Sequence, residues 1–401
     1  MLTHGNIHSN VVASMRRLPF TLEQVYNQPV LSYLPLSHIF ERMISYMYLC
    51  MGARIHYIQV IDEIRDDFLH VKPYFFASVP RLLEKIQTGV KVKGQELSGA
   101  KKSLYYWALR LTETYDPERP PAGLAAVKHR IADKLIYSKI RPLFGGNLMG
   151  VVTGGAALSP DIFRFMNAIG FYCAQGYGLT ETSPVITVQD QRHMRVGSSG
   201  VTIDEVEVKI AEDGEILARG PNIMKGYYNK PEITAEVIDS DGWFHTGDIG
   251  RLDAEGYLFI TDRKKALFKL STGKYVAPQH VENQIVGSGF IDQILVVGNE
   301  RKFCAALIVP AYENVRKRLH RDGHHPKEPF SQDSKVRELL QAEVEKGNQG
   351  LAPWETVKRF AVLDEPLTVE SGELTPTLKV KRSVVRQKYA EQIDALFADG
   401  G

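Results

Sequence analysis

Cysteine is scarce and scattered in this chain. Cys50, Cys173 and Cys304 are odd in number and none has metal-ligand spacing. A disulfide scaffold and a structural zinc site are therefore excluded, and the three read as reduced thiols in a cytosolic protein. Long apolar runs are missing too. The most apolar stretch, residues 43–53, is too short to span a bilayer and ends at Arg54. The opening residues, Met1-Leu2-Thr3-His4-Gly5-Asn6, hold no basic segment followed by an apolar one, so they do not read as a signal peptide. Charge of one sign is lacking: 49 Lys and Arg face 47 Asp and Glu, a net +2. That balance, with no long basic run, gives no case for nucleic acid as a partner. Internal repeats and low-complexity segments are absent. What remains is a hydrophobic content of 44% over 401 residues, enough for two or three domains with sizeable cores.

The first third alternates strand and helix patterns. Asn6 is placed to cap a helix reaching about Arg17. Residues 30–34 read as a strand ended by Pro35. A helix follows with Ile39, Met43, Tyr46, Met47 and Cys50 on one face. Strands are expected at 54–58 and 74–78, a helix at 61–69, and another helix opened by Pro80. This β-α-β alternation predicts a parallel sheet covered by helices. Residues 95–141 form a helical arm. One helix presents Leu104, Trp107, Ala108 and Leu111; the next presents Leu124, Val127, Ile131 and Leu135, with Lys128, Arg130, Lys134, Lys139 and Arg141 on its far side. That basic face suits either plain solvation or an anionic membrane surface.

The sheet pattern resumes at 148–152, followed by the loop Thr153-Gly154-Gly155-Ala156-Ala157 and a helix opened by Ser159 and Pro160. Such a loop either presses its backbone against a ligand or is a tight turn. Residues 170–174 read as a buried strand, and Gln175-Gly176-Tyr177-Gly178-Leu179-Thr180-Glu181-Thr182 as the loop beyond it. Its glycines let a flat ligand approach, Tyr177 can stack on it, Thr180 offers a hydroxyl to phosphate, and Glu181 offers a hard carboxylate to magnesium. The plainer alternative is a Gly-Pro turn. Residues 201–210, 215–219 and 257–260 predict short strands of a small antiparallel unit. Within it, Asp241-Gly242-Trp243-Phe244-His245-Thr246-Gly247-Asp248 sets Asp248 to accept bonds from two hydroxyls or to form an Asx turn. After Asp262-Arg263-Lys264-Lys265 come further strands and helices, then a polar loop around Lys379 and a closing helix.

Taken in order, these runs resemble the adenylate-forming (AMP-binding) superfamily, and within it the long-chain fatty acyl-CoA synthetases. The resemblance covers essentially the whole chain. It is carried by Tyr177 to Thr182, Asp241 to Asp248, Asp262 to Lys265 with the Ser271-Thr272-Gly273-Lys274 loop, the Thr375 to Lys379 loop, Leu34 to Arg42, and Gly154 to Ser159. It implies an α/β fold: a partial parallel-sheet αβα large domain over 1–194, a small antiparallel β unit over 195–262, and a mobile α+β lid over 263–401. It implies ATP, Mg2+, CoA and a fatty acid as ligands. Gly154, Gly155, Gln175, Gly176 and Tyr177 match the adenine pocket, Thr180 the phosphate contact and Glu181 the magnesium ligand. Asp248 matches the ribose acceptor and Arg263 its neighbour. His38 matches a histidine near the bound carboxylate. Asp262 and Lys265 match the hinge, Gly273 and Lys274 the pantetheine tunnel, and Lys379 the lysine bridging carboxylate and α-phosphate. Leu378 stands where many relatives have Gly. The resemblance also implies a Ser/Thr/Gly-rich phosphate loop ending Pro-Lys-Gly just ahead of the segment that begins here at Met1. These 401 residues contain none. The chain is thus expected to be the C-terminal portion of such a synthetase. Either it activates a fatty acid for transfer to CoA or another thiol, or it binds nucleotide and acyl group without turnover.

Overall fold

The computed structural model describes residues 1–58, 64–264, 266–286, 289–375 and 380–398. They fall into two compact units, 1–246 with 250–260, and 247–249 with 261–401. The division passes through two adjacent strands.

In the first unit, strands β1 (Pro29–Ser32), β2 (Arg54–Tyr57), β3 (Phe75–Ser78), β4 (Gly150–Thr153), β5 (Tyr172–Gly178), β6 (Val185–Val188) and β7 (Val201–Thr202) form a sheet ordered β2-β1-β3-β4-β5-β6-β7. From β2 to β5 every pairing is parallel; β6 and β7 add antiparallel pairs. Alternate side chains leave opposite faces of the pleat. Leu31, Phe76, Val151 and Cys173 enter one core, beneath the helices Pro80–Gln95, Gly99–Glu113 and Pro160–Ala168. Val30, Phe75, Val152 and Ala174 enter the other, beneath the helices His4–Met15 and Ile39–Cys50. The result is a helix–sheet–helix sandwich, the α/β class expected.

Local details depart from expectation. The first helix is capped by Thr3, whose hydroxyl accepts from Asn6 N–H; Asn6 closes the reciprocal box instead of capping. In the helix Ile39–Cys50 the buried side is Phe40, Met43, Ile44, Met47 and Tyr48, while Tyr46 and Cys50 are exposed. The expected helix at 61–69 begins at Ile64 among the described residues. Residues 201–210 are two strands, and the first of them completes the large sheet.

A second sheet has the order β11-β10-β9-β8, from β8 (Glu207–Ile210), β9 (Glu215–Arg219), β10 (Phe244–Leu252) and β11 (Leu258–Arg263). Strand β10 shows alternate burial along residues 244–250, so the Asp241-to-Asp248 run ends in a regular strand and not in a loop.

The second unit is built on β14 (Ile291–Val297), β15 (Cys304–Pro310) and β16 (Val357–Val362), after the short hairpin β12 (Phe268–Lys269) and β13 (Tyr275–Val276). Strands β14 and β15 are antiparallel, β15 and β16 parallel. One face packs on the helices Pro278–Ile285, Tyr312–Arg321 and Ser334–Asn348, the other on Val385, Leu396 and Phe397. The closing segment is two helices, Arg382–Lys388 and Ala390–Phe397, and Val384 is exposed. No described helix is long and apolar enough to cross a membrane.

Candidate active site

Parallel strands β1, β3, β4 and β5 bring their C-terminal ends to one edge of the sheet, where open α/β sheets hold ligands. The expected residues of the first unit collect there. Gly154 and Gly155 follow β4. Gly154 is buried, and a Cβ on it would sit 3.1 Å from the Phe40 ring; Gly155 is exposed with φ +81°. Phe40 lies two residues past His38. The His38 ring nitrogen Nδ1 accepts from Phe40 N–H and so caps the helix Ile39–Cys50. One apolar contact thereby fixes the Gly154 loop against the His38 turn.

Gln175 ends the parallel part of β5. Its buried side chain accepts from Leu158 N–H at 3.2 Å, closing the Gly154 loop, while its own N–H donates to Gln189. The expected loop from Gly176 is in part strand: Gly176 and Tyr177 pair antiparallel with Val188 and Thr187. Gly178 is required by space, since a Cβ there would lie 1.7 Å from Pro184 O. Tyr177 is half-buried against the second core.

Thr180 to Thr182 form one tight 3-10 turn with Thr180 exposed. Two asparagines missed in the sequence hold it. Asn10 Nδ2 donates to Val185 O at 2.7 Å and Thr182 O at 3.4 Å, and its Oδ1 accepts from Val185 N–H at 3.1 Å. Asn222 Nδ2 donates to Thr182 O at 2.9 Å and Val185 O at 3.1 Å. Glu181 is fixed by Met224 N–H on its carbonyl at 2.7 Å and by the Tyr227 hydroxyl, which donates to Oε1 at 2.8 Å. Burial, with Glu181 beside it, pushes the Tyr227 phenol up to about 12, so it remains a donor at neutral pH. Among the described residues no three His, Cys, Asp or Glu cluster as a metal cage. A single carboxylate with one oxygen so held suits magnesium, which keeps waters and takes phosphate oxygens beside one or two carboxylates.

A separate set of the expected residues lies in the second unit. Asp248 on β10 is buried and accepts from Arg263 Nε at 3.2 Å; the Arg263 side chain is exposed. Lys264 N–H donates to Gly247 O. Asp262 is buried, accepts from Arg263 N–H and Gln279 N–H, and burial raises its carboxyl. Gly273 and Lys274 lie in the β12–β13 turn, where Gly273 has φ +85° and the Lys274 ammonium sits 4.9 Å from the Trp354 ring centroid. Arg382 is fixed by a two-pronged ion pair with buried Glu282, three residues past Lys379. Lys265 and Lys379 lie outside the described residues.

Sequence comparison decides the family. The profile of the AMP-binding enzyme family matches residues 1–228, and that of the AMP-binding enzyme C-terminal domain matches residues 266–400. The chain belongs to the AMP-binding enzyme family. It is 34% identical over its whole length to long chain acyl-CoA synthetase 7, peroxisomal, of Arabidopsis thaliana, covering 59% of that protein. It is 33% identical to human long-chain-fatty-acid–CoA ligase 1 over 99% of this chain and 58% of the relative. The chain thus spans about three-fifths of the length of these relatives. Among solved structures, the adenylation domain of a Mycobacterium chelonae carboxylate reductase superposes with a TM-score of 0.72 at 24% identity, over 97% of this chain and 57% of that one. The o-succinylbenzoate CoA synthetase of Bacillus subtilis, in complex with its acyl-adenylate intermediate, superposes with a TM-score of 0.64 at 21% identity, over 96% of this chain and 65% of that one. Those two likenesses establish the adenylate-forming fold.

Proposed function

We propose that this AMP-binding enzyme chain serves ATP-dependent activation of a long-chain fatty acid and its transfer to CoA. The observation that carries this is sequence likeness to long-chain acyl-CoA synthetases along the entire chain. The edge where Gly154, Gly155, Gln175, Gly176, Tyr177, Thr180 and Glu181 collect supports it. There a nucleotide would lie on the Gly154–Gly155 backbone, with Tyr177 beside the base and Thr180 toward phosphate. Asp248, steadied by Arg263, would accept the ribose hydroxyls. Magnesium, held by Glu181 with phosphate oxygens, would offset phosphate charge.

In the first half-reaction a carboxylate oxygen bonds to the α-phosphorus and the bond to pyrophosphate breaks. Both reactants are anions, so Lys379 is assigned the bridging cation and His38 a place beside the carboxylate. In the second, the CoA sulfur bonds to the acyl carbon and AMP leaves. We assign the exchange of Lys379 for the Gly273–Lys274 loop to a turn of the lid at Asp262 and Lys265. The test is fatty-acid-dependent ATP–pyrophosphate exchange. Lys379→Ala is expected to lower it about 100-fold, and exchange that is indifferent to fatty acid would contradict the reading.

A further inference from the structure

The polar loop around Lys379 leaves and re-enters the second unit through described residues, and both of its arms are anchored there. Leu374 and Val380 pair as an isolated antiparallel bridge, which brings the two arms together. One residue on, Lys381 N–H donates to Glu373 O at 2.8 Å. Glu373 is buried, and its carboxylate meets the Lys388 ammonium at 2.9 Å. Leu374 and Val385 enter the same core as Leu295 and Leu307 of β14 and β15. These contacts hold the two arms to each other and to the sheet. They do not tie the loop to the segment matched to the hinge.

Arg382 supplies that tie. It opens the helix Arg382–Lys388, and its guanidinium holds buried Glu282 through two nitrogens, Nη1 to Oε1 at 2.8 Å and Nη2 to Oε2. A planar fork on a carboxylate fixes direction as well as distance, which the point charge of a lysine does not. Glu282 also accepts from Val296 N–H at 2.7 Å. It lies on the helix Pro278–Ile285, and three residues earlier on that helix Gln279 N–H donates to Asp262 at 3.2 Å. One helix therefore holds Asp262 at its start and Arg382 one turn later. Burial raises both carboxyls, the Arg382 charge lowers both, and Asp262 adds to the rise at Glu282. Stability alone is a weak reason for such a pair, because apolar residues of similar volume often replace a buried ion pair without loss. What the pair supplies that apolar contacts do not is direction.

We propose that the Glu282–Arg382 pair is a positioning device: through the helix Pro278–Ile285 it sets the base of the Lys379 loop at a fixed place relative to Asp262. The inference rests on the reading of Lys379 as the bridging lysine; Arg382 acts through that lysine and touches no substrate. The test compares the 401-residue parent with Arg382→Lys and with the double variant Arg382→Leu/Glu282→Leu, which removes the pair without stranding a buried carboxylate. Hydrogen exchange of the Val380 and Lys381 amides, read by mass spectrometry, is expected to quicken about tenfold in the double variant, while the β14 and β15 amides keep their protection. Fatty-acid-dependent ATP–pyrophosphate exchange should fall about tenfold in the double variant and less in Arg382→Lys. Thioester formation from supplied acyl-adenylate and CoA, in which Lys379 has no assigned part, should stay within about twofold of the parent. Unaltered exchange at Val380 and Lys381 would overturn the proposal whether or not the chain turns over. So would parental pyrophosphate exchange in the double variant, or an equal loss in both half-reactions, which would mark the pair as purely structural. A parent without fatty-acid-dependent exchange would instead contradict the ligase reading, and the amide readout would still decide the anchoring.

Discussion

The Tyr227 hydroxyl donates to Glu181 Oε1 across 2.8 Å, joining two residues 46 positions apart. With Glu181 in its proposed role as magnesium ligand, the bond would leave the other carboxylate oxygen for the cation. Groups that orient a metal ligand this way change affinity about 10–100-fold when removed. Tyr227→Phe should therefore weaken Mg-ATP binding about tenfold, read by calorimetry, with little change in nucleotide binding when magnesium is withheld. Equal weakening in both conditions would mean that Tyr227 shapes the fold and not the carboxylate.

Asn10 and Asn222 both serve the Thr182–Val185 turn, but not equally. Asn10 satisfies the Val185 N–H as well as two carbonyls, whereas Asn222 donates twice and its Oδ1 has no partner. A buried N–H left unpaired costs about 1–3 kcal/mol. Asn10→Ala should lower unfolding free energy by about that amount, and Asn222→Ala by less, because Asn10 still reaches the same carbonyls. Urea denaturation of the two variants gives the order, and the reverse order would contradict the assignment.

Glu41 is buried, and burial outweighs the opposing effect of the nearby Ser32 hydroxyl and pushes its carboxyl up to about 7. An acid whose pKa is higher folded than unfolded holds its proton more tightly in the folded state. It therefore favours folding below its unfolded value, and that contribution is lost as pH rises from about 4.5 to about 7. Glu41→Gln should be more stable than the parent at pH 8, by up to about 3 kcal/mol at 1.36 kcal/mol per pKa unit, and similar at pH 4. Denaturation midpoints at the two pH values decide it; a variant less stable at pH 8 would show that the ionised carboxylate has a partner.

The ion pair between Arg382 and buried Glu282 predicts non-additivity. Glu282 also accepts from Val296 N–H, and burial raises its carboxyl. Arg382→Leu alone strands that carboxylate and should cost about 3 kcal/mol. Adding Glu282→Leu should recover part of the loss. A double variant whose loss equals the sum of the single ones would contradict the coupling.

Much of this architecture is legible in the residues. The β-α-β alternation predicts the parallel sheet, and Pro80 and Pro160 each start a helix as expected. Misreadings share a cause: they needed partners far along the chain. Strand β10 is hidden because Thr246-Gly247-Asp248 looks like a turn until a neighbouring strand supplies its pairing. Val201 and Thr202 read as part of a small β unit until β6 takes them into the large sheet. Asn10 and Asn222 look like surface residues in isolation, since the groups they satisfy lie 175 and 37 positions away at Val185. Gly178 reads in the sequence as room for a flat ligand, but the folded chain shows a nearer reason for it: the Pro184 carbonyl leaves no space for a side chain.

The most direct test of the ligase reading is ATP–pyrophosphate exchange measured with a series of long-chain fatty acids, for the parent chain, Glu181→Gln and Lys379→Ala. Exchange is expected to depend on fatty acid and to fall about 100-fold in each variant. Exchange that is absent with every fatty acid, or that survives both substitutions, would contradict it.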